Sequence, residues 1–286
     1  MFPFFAYDEP VFRPPAEAFS LILQATIGCS HNRCRFCGMY KSKRFRLRPL
    51  PELLEELEAV PVRHRAGLRR LFLGDGDGLI YPQGDLERLL AALSEIFPNL
   101  ARVAAYASPA SLETKSVAEL ERLRTGKLRL LYFGLESGDD KTLESAGKGF
   151  TAEEMLMQCR KAQEAGIKLS VTAILGLAGK QRSAEHAAAT AAWINALSPR
   201  YFSLLTLIRG GNEDYFSFIE PLANGAILEE ALALVTALEP RATILRSDHV
   251  SNLLHLSGSY PKDREGIIAQ ARAALAEGRR HPGWFN

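Results

Sequence analysis

Three of the four cysteines fall in one nine-residue stretch, Cys29-Ser-His-Asn-Arg-Cys34-Arg-Phe-Cys37, directly after the apolar run 21–28. Soft thiolates at such spacing suit an iron–sulfur cluster or zinc. A closed structural site takes four protein ligands, whereas three thiolates on a four-iron cluster leave one iron open to an outside ligand. Zinc held by the three cysteines together with His31 is the other donor set this stretch offers. Disulfides fit poorly: cysteine is sparse, and the chain starts without the basic, apolar and small-residue pattern of a secretory leader. The expected compartment is therefore a reducing cytoplasm.

The elements that must position these thiols follow from hydrophobic periodicity. Short apolar runs bounded by turn residues predict strands at 21–28, 68–73, 102–107, 128–135, 167–175 and 201–208. Apolar residues at three-and-four spacing predict helices at 50–60, 84–97, 116–124, 151–165 and 183–197. Thr151-Ala-Glu-Glu154 reads as a capping box, with Gly166 as the stop. Six βα units in succession call for an α/β fold with a parallel sheet and right-handed crossovers, either doubly wound or curled into a barrel. Residues 1–19, with Phe2, Pro3, Phe4, Phe5, Pro10, Pro14 and Pro15, read as an extended arm. Residues 209–286 read as an extension over the open side, including a helix at 263–277 and a terminal Trp284-Phe285.

Polar residues at the strand ends are the next candidates. After the second strand, Gly74-Asp75-Gly76-Asp77-Gly78 combines a backbone free to approach a ligand with two carboxylates; a plain Asp-Gly turn is the competing reading. After the fourth strand comes Gly134-Leu-Glu136-Ser137-Gly138, in which Ser137 or Asp139 would cap the following helix. Lys148 lies twelve positions after Glu136. The fifth strand runs out through Ile174-Leu-Gly176-Leu-Ala-Gly179.

This set of motifs, in this order over residues 20–208, resembles the radical S-adenosylmethionine (SAM) superfamily, with a variant C-x4-C-x2-C motif in place of the common three-residue first gap. Gly-Leu-Glu-Ser-Gly is similar to a stretch in the branch that includes oxygen-independent coproporphyrinogen oxidase and the tRNA methylthiotransferases. The resemblance implies a partial (β/α)6 TIM-like barrel with its site at the carboxyl ends of the strands. It also implies a [4Fe-4S] cluster on Cys29, Cys34 and Cys37, with His31 and Arg33 bulging out without ligating iron. SAM would chelate the open iron. Gly74, Asp75, Gly76 and Asp77 would receive its methionyl ammonium, although the usual glutamate is absent. Glu136 would help bind the cofactor and Lys148 would take its carboxylate. Ile174, Gly176 and Phe36 would lie at the adenine, while Gly179 stands where the pattern often has a glutamate. The implied activity is reductive cleavage of SAM to a 5′-deoxyadenosyl radical, which abstracts hydrogen from a small polar substrate, with electrons from a flavodoxin- or ferredoxin-type reductant.

Substrate chemistry has to come from outside these motifs. The stretch 246–255 gathers Asp248, His249 and His255 as candidate catalytic groups, against a capped turn with surface histidines. The basic stretch 41–48 could grip RNA, but a solvated loop leading into the first helix is the favoured reading. Modification of RNA is thus an alternative activity. A net charge of +2 neither demands nor excludes nucleic acid, and no apolar run is long enough to span a bilayer. A metal protein with a non-catalytic binding or regulatory role is the alternative of a different class. Cys159, predicted inside a helix, leaves no cysteine set for a second cluster.

Overall fold

The computed structural model describes residues 5–278, so Phe2, Pro3 and Phe4 of the expected arm and the terminal Trp284-Phe285 lie outside the described residues. The apolar runs become β1 (Leu21–Gln24), β2 (Thr26–Ile27), β4 (Arg70–Gly74), β5 (Arg102–Ala107), β6 (Leu128–Glu136), β7 (Lys168–Leu175) and β8 (Tyr201–Thr206). Three strands lie outside those runs, namely β3 (Arg46–Leu47), β9 (Ile244–Ser247) and β10 (Leu256–Ser259). The helices are α1 (Leu50–Glu58), α2 (Val62–Arg65), α3 (Gln83–Ile96), α4 (Pro109–Glu113), α5 (Val117–Thr125), α6 (Asp140–Ser145), α7 (Ala152–Glu164), α8 (Gly179–Leu197), α9 (Glu213–Phe218), α10 (Asn224–Ala237) and α11 (Arg264–Ala276). The main sheet has eight strands in the order β1-β4-β5-β6-β7-β8-β9-β10, and a small second sheet pairs β2 with β3.

The chain divides into two compact units that interleave in sequence. Among the described residues one comprises 5–32, 39–133 and 158–169, and the other comprises 33–38, 134–157 and 170–278. In the first unit β1 pairs with β4, β4 with β5 and β5 with β6, all parallel. All four residues of β1 are buried, the pattern of a strand covered on both faces. Ser108 and Ser116 each open a helix with a reciprocal capping box. In the second unit β7, β8 and β9 run parallel and β10 returns antiparallel to β9. The expected capping box forms, since the Thr151 amide donates to Glu154 Oε2 at 2.7 Å and the Glu154 amide donates to Thr151 Oγ1 at 3.2 Å. Cys159 lies inside α7, as the pattern required, and is buried there.

Two expectations need correction. The first predicted strand does not run through to Gly28: the Ala25 amide turns back to the carbonyls of Leu23 and Gly74, and β2 leaves the parallel sheet to pair antiparallel with β3. The basic stretch 41–48 is therefore not simply a solvated loop, because its end is a strand and Lys43 within it is buried. The C-terminal extension, besides its helices, adds β9 and β10 to the sheet.

The arm is anchored by a buried carboxylate. Glu17, fully buried, accepts hydrogen bonds from the Tyr132 hydroxyl at 2.7 Å, from Arg102 and from Ser20. Glu17→Ala would strand these donors, and loss of about 1–3 kcal/mol is expected in denaturant unfolding; an unchanged midpoint would show that the arm does not contribute to the fold.

Candidate functional site

In the first unit the glycine turn after β4 is stitched to the start of the cysteine loop. The Gly28 amide donates to Asp75 Oδ2 at 3.1 Å, the Asp75 amide donates to the Thr26 carbonyl at 3.0 Å, and the Gly76 amide donates to the Gly28 carbonyl at 3.1 Å. Gly76 has to be glycine, since a Cβ there would lie 2.9 Å from Cys29 Cβ and 2.8 Å from a ring carbon of Tyr40. Asp75 is wholly buried and takes Lys43 Nζ at 2.9 Å; Lys43 also donates to the Asp8 carbonyl. Burial pushes the Asp75 carboxyl above the usual carboxylate range, against the pull of Lys43 and the Gly28 amide. Asp77 is also wholly buried and accepts from Ser30 Oγ and from the hydroxyl and amide of Ser108. Its carboxyl is likewise raised, with burial the main cause. Both nominated aspartates thus already carry protein donors.

The second unit holds the rest of the cysteine loop. The Arg35 amide donates to the Ala146 carbonyl at 2.8 Å, and the Cys37 amide reaches the Cys34 carbonyl at 3.4 Å. Gly147, with φ of 69°, lies close under the loop: a Cβ there would stand 3.1 Å from the Arg33 carbonyl. Phe36 meets Tyr215 edge-on, with ring centres 6.3 Å apart, and packs on an apolar cluster of Ala146, Ile174, Leu177 and Tyr215. Two residues nominated for adenine, Phe36 and Ile174, therefore share one apolar cluster. Glu136 and Lys148 also meet, as an ion pair of 3.2 Å in which both side chains are mostly buried. Glu136 has φ of 66°, a left-handed conformation unusual for a residue with a side chain. Of the two expected caps Asp139 is the one that opens α6: it accepts from the Thr142 amide at 3.0 Å and is gripped by Arg182 at 2.7 and 2.9 Å, which lowers its carboxyl to about 2, whereas Ser137 accepts the Asp139 amide at 3.0 Å.

A buried polar chain lies beyond Ser137. Its hydroxyl is 2.8 Å from His186 Nδ1, and His186 Nε2 is 3.8 Å from Glu230 Oε1. Glu230 accepts from the Gly176 amide at 2.6 Å and from Ser183, so an acid on α10 holds the end of β7. Burial raises Glu230 to about 7 and lowers His186 to about 4.

Of the candidate catalytic groups, Asp248 and His255 are exposed. His249 is half-buried, with Nδ1 2.8 Å from Ser251 Oγ, and burial lowers its pKa. Asn252 in the same segment donates to the carbonyls of Leu204 and Ser247, which makes the segment a tied turn. Ser30, Ser108, Asn212 and Glu230 carry no signal of these roles in the sequence, and Lys43 is legible there only as part of the basic stretch 41–48. For Lys43 the only local signal was its place between exposed basic residues, and that signal pointed the wrong way.

None of the four cysteines is in a disulfide. Among the described residues no three His, Cys, Asp or Glu side chains form a ready-made metal-holding group. What fits an iron–sulfur cluster is the chemistry of the donor set: three half-buried thiols on one short loop. A family model described as the radical SAM superfamily matches residues 23–191. A putative methylthiotransferase of Methanocaldococcus jannaschii is 29% identical over 155 residues, 50% of this chain and 32% of the relative. The heme chaperone HemW of Bacillus subtilis is 24% identical over 187 residues, 63% of this chain and 48% of the relative. The chain thus spans less than half the length of the curated relatives it matches. The coproporphyrinogen III oxidase HemN of Escherichia coli shares the fold, a partial α/β barrel with a mostly parallel sheet. Its TM-score is 0.56 at 20% identity, covering 76% of this chain and 52% of HemN.

Two stability outcomes follow. Lys43→Met would leave Asp75 buried and unpaired, at a cost of about 3–5 kcal/mol, and adding Asp75→Asn would recover much of it; equal unfolding midpoints for the single and double variants would contradict the pairing. Glu230 has a folded pKa above its ordinary 4.5, so its contribution is full below about 4.5 and is lost as pH rises through about 7. Glu230→Gln escapes that loss: the melting temperature of the variant relative to wild type should rise from pH 5 to pH 8, and a flat difference would contradict the buried acid.

Proposed function

The chain belongs to the radical SAM superfamily, and from that premise we propose that it is an enzyme that cleaves SAM reductively and uses the radical on an unidentified small polar substrate. The family's cofactors are a [4Fe-4S] cluster and SAM. Cys29, Cys34 and Cys37 would hold three irons and leave the fourth to the amino and carboxylate groups of SAM. Bound and reduced, such a cluster would supply the single electron for reductive cleavage of SAM, the source of a radical able to take a hydrogen atom from substrate.

The protein's own residues bind and orient. Asp75 Oδ2 is taken by Lys43 and Gly28 while its buried Oδ1 has no hydrogen-bond partner among the described residues, and Asp77 is held by Ser30 and Ser108. Recognition of the methionyl ammonium by the turn 74–78 would therefore fall on Asp75 Oδ1 and on backbone carbonyls, with Asp77 setting the turn's shape. Lys148 would turn from Glu136 toward the cofactor carboxylate, leaving Glu136 to accept from the cofactor. Phe36 and Ile174 would wall the adenine, and Gly176 would give it close backbone approach. The observation that most supports this reading is the convergence of the Cys34–Cys37 loop, Phe36 and Ile174 about one apolar cluster. On the substrate side, residues 209–286 would close the barrel and His249 is the half-buried candidate. No helix among the described residues is long and apolar enough to cross a membrane. A cytoplasmic site, with a flavodoxin- or ferredoxin-type reductant, suits half-buried thiols that must stay reduced.

Anaerobic reconstitution with iron and sulfide, followed by dithionite and SAM, tests the proposal. Wild type should show a charge-transfer band of a [4Fe-4S] cluster and release 5′-deoxyadenosine. Cys37→Ala should lose the cluster, whereas Glu136→Gln should keep it and bind SAM roughly tenfold or more weakly. A reduced, iron-loaded protein that neither binds nor cleaves SAM would refute the reading.

A further inference from the structure

Beyond the residues that the family model covers, one segment grips the cysteine loop. Asn212 is 6% exposed and donates from Nδ2 to the Phe36 carbonyl at 2.7 Å and to the Ile208 carbonyl at 3.0 Å. Its Oδ1 accepts the Gly210 amide at 2.9 Å. One amide thus ties its own loop together and holds the peptide that joins Phe36 to Cys37. Backbones also touch there: a Cβ on Gly38 would stand 2.0 Å from the Gly210 carbonyl oxygen. Three side chains reinforce the seam. Tyr215 packs on Phe36 and donates to the Leu177 carbonyl at 2.8 Å, and the Arg35 guanidinium lies over the Phe218 ring at 5.2 Å.

We propose that the segment 208–218 is a second wall of the cluster site, and that Asn212 is the positioning residue that fixes Cys37 through the Phe36 carbonyl. The inference rests on the reading of Cys34 and Cys37 as cluster ligands. The physical argument is one of position. The Phe36–Cys37 peptide plane is rigid and ends on the Cys37 Cα, so fixing its carbonyl fixes the point from which the Cys37 side chain departs. The helix α9 within the segment has only six residues and cannot be stable by itself, so the segment owes its place to these contacts. Replacing Asn212 with alanine strands the Phe36 and Ile208 carbonyls and the Gly210 amide. Aspartate, isosteric with asparagine, is worse, because it turns a carboxylate oxygen toward two carbonyls and adds a negative charge beside thiolates.

The test uses the reconstituted full chain. Cluster loss in air is followed by absorbance, the reduced cluster by electron paramagnetic resonance, and the fold of the metal-free protein by thermal melting. Asn212→Ala should lose its cluster roughly threefold to tenfold faster than wild type and show altered g values, and Asn212→Asp faster still. Trp193→Phe, which removes the 2.8 Å bond from Trp193 Nε1 to the Ala152 carbonyl, serves as a general loosening of the same unit; it should lower the melting temperature yet leave cluster lifetime at the wild-type value. Wild-type lifetime and g values in Asn212→Ala, or equal acceleration in Trp193→Phe, would overturn the proposal while leaving the cluster reading intact. A wild-type protein that takes up no cluster would overturn both. Hydrogen exchange on wild type gives a second measure should the variants fail to fold: amides of 208–218 should become more protected on cluster loading, and unchanged protection would overturn the proposal.

Discussion

The buried carboxylate of Asp75 ties two parts of the first unit that must be held in register for the cysteine loop to start where it does. Oδ2 takes the Gly28 amide on one side and the Lys43 ammonium on the other. The adjoining amides of Asp75 and Gly76 reach back to the carbonyls of Thr26 and Gly28. A buried charge of this kind is costly unless it is paired and hydrogen-bonded, so Lys43 and Asp75 depend on one another, and the position of Cys29 depends on both. The small β2–β3 sheet belongs to the same arrangement: the strand that would have continued straight leaves the parallel sheet at Ala25 and brings Gly28 to the turn.

In the second unit polar groups at strand ends are used in pairs as well. Glu136 is held in a left-handed conformation beside Lys148, and Gly134 leaves room for that carboxylate, since a Cβ there would sit 2.0 Å from Glu136 Oε1. Gly176 takes a positive φ of 79° with its amide fixed by Glu230. Buried acids here fix backbone that would otherwise be free, and burial raises the pKa of Glu230 to about 7. Such polar networks belong to binding sites that must be shaped before a ligand arrives.

How much of this was legible in the sequence depends on whether the signal was local. The strands of the parallel sheet, the capping box at Thr151 and the placement of Cys159 inside a helix follow from periodicity and caps, which depend on neighbours in sequence. The cysteine triplet, the glycine turn and the Gly-Leu-Glu-Ser-Gly stretch were also legible as motifs. Contacts between distant residues were not. Lys43 lies 32 positions from Asp75, and Glu230 lies 54 from the amide it holds, so neither pairing leaves a local pattern. Asn212 is separated from Phe36 by 176 positions. β9 and β10 were missed because each is only four residues long and one begins next to the polar stretch that drew attention as a candidate site.

The central claim is that the three thiolates leave one iron open and that the protein offers that iron SAM rather than a fourth side chain. Electron–nuclear double resonance on the reduced cluster, with SAM carrying 15N in its methionyl amino group, addresses it directly. The account expects a hyperfine coupling from that nitrogen, together with a change in g values on adding SAM. A spectrum indifferent to SAM, or a coupling from a histidine nitrogen such as that of His31 in its place, would contradict it.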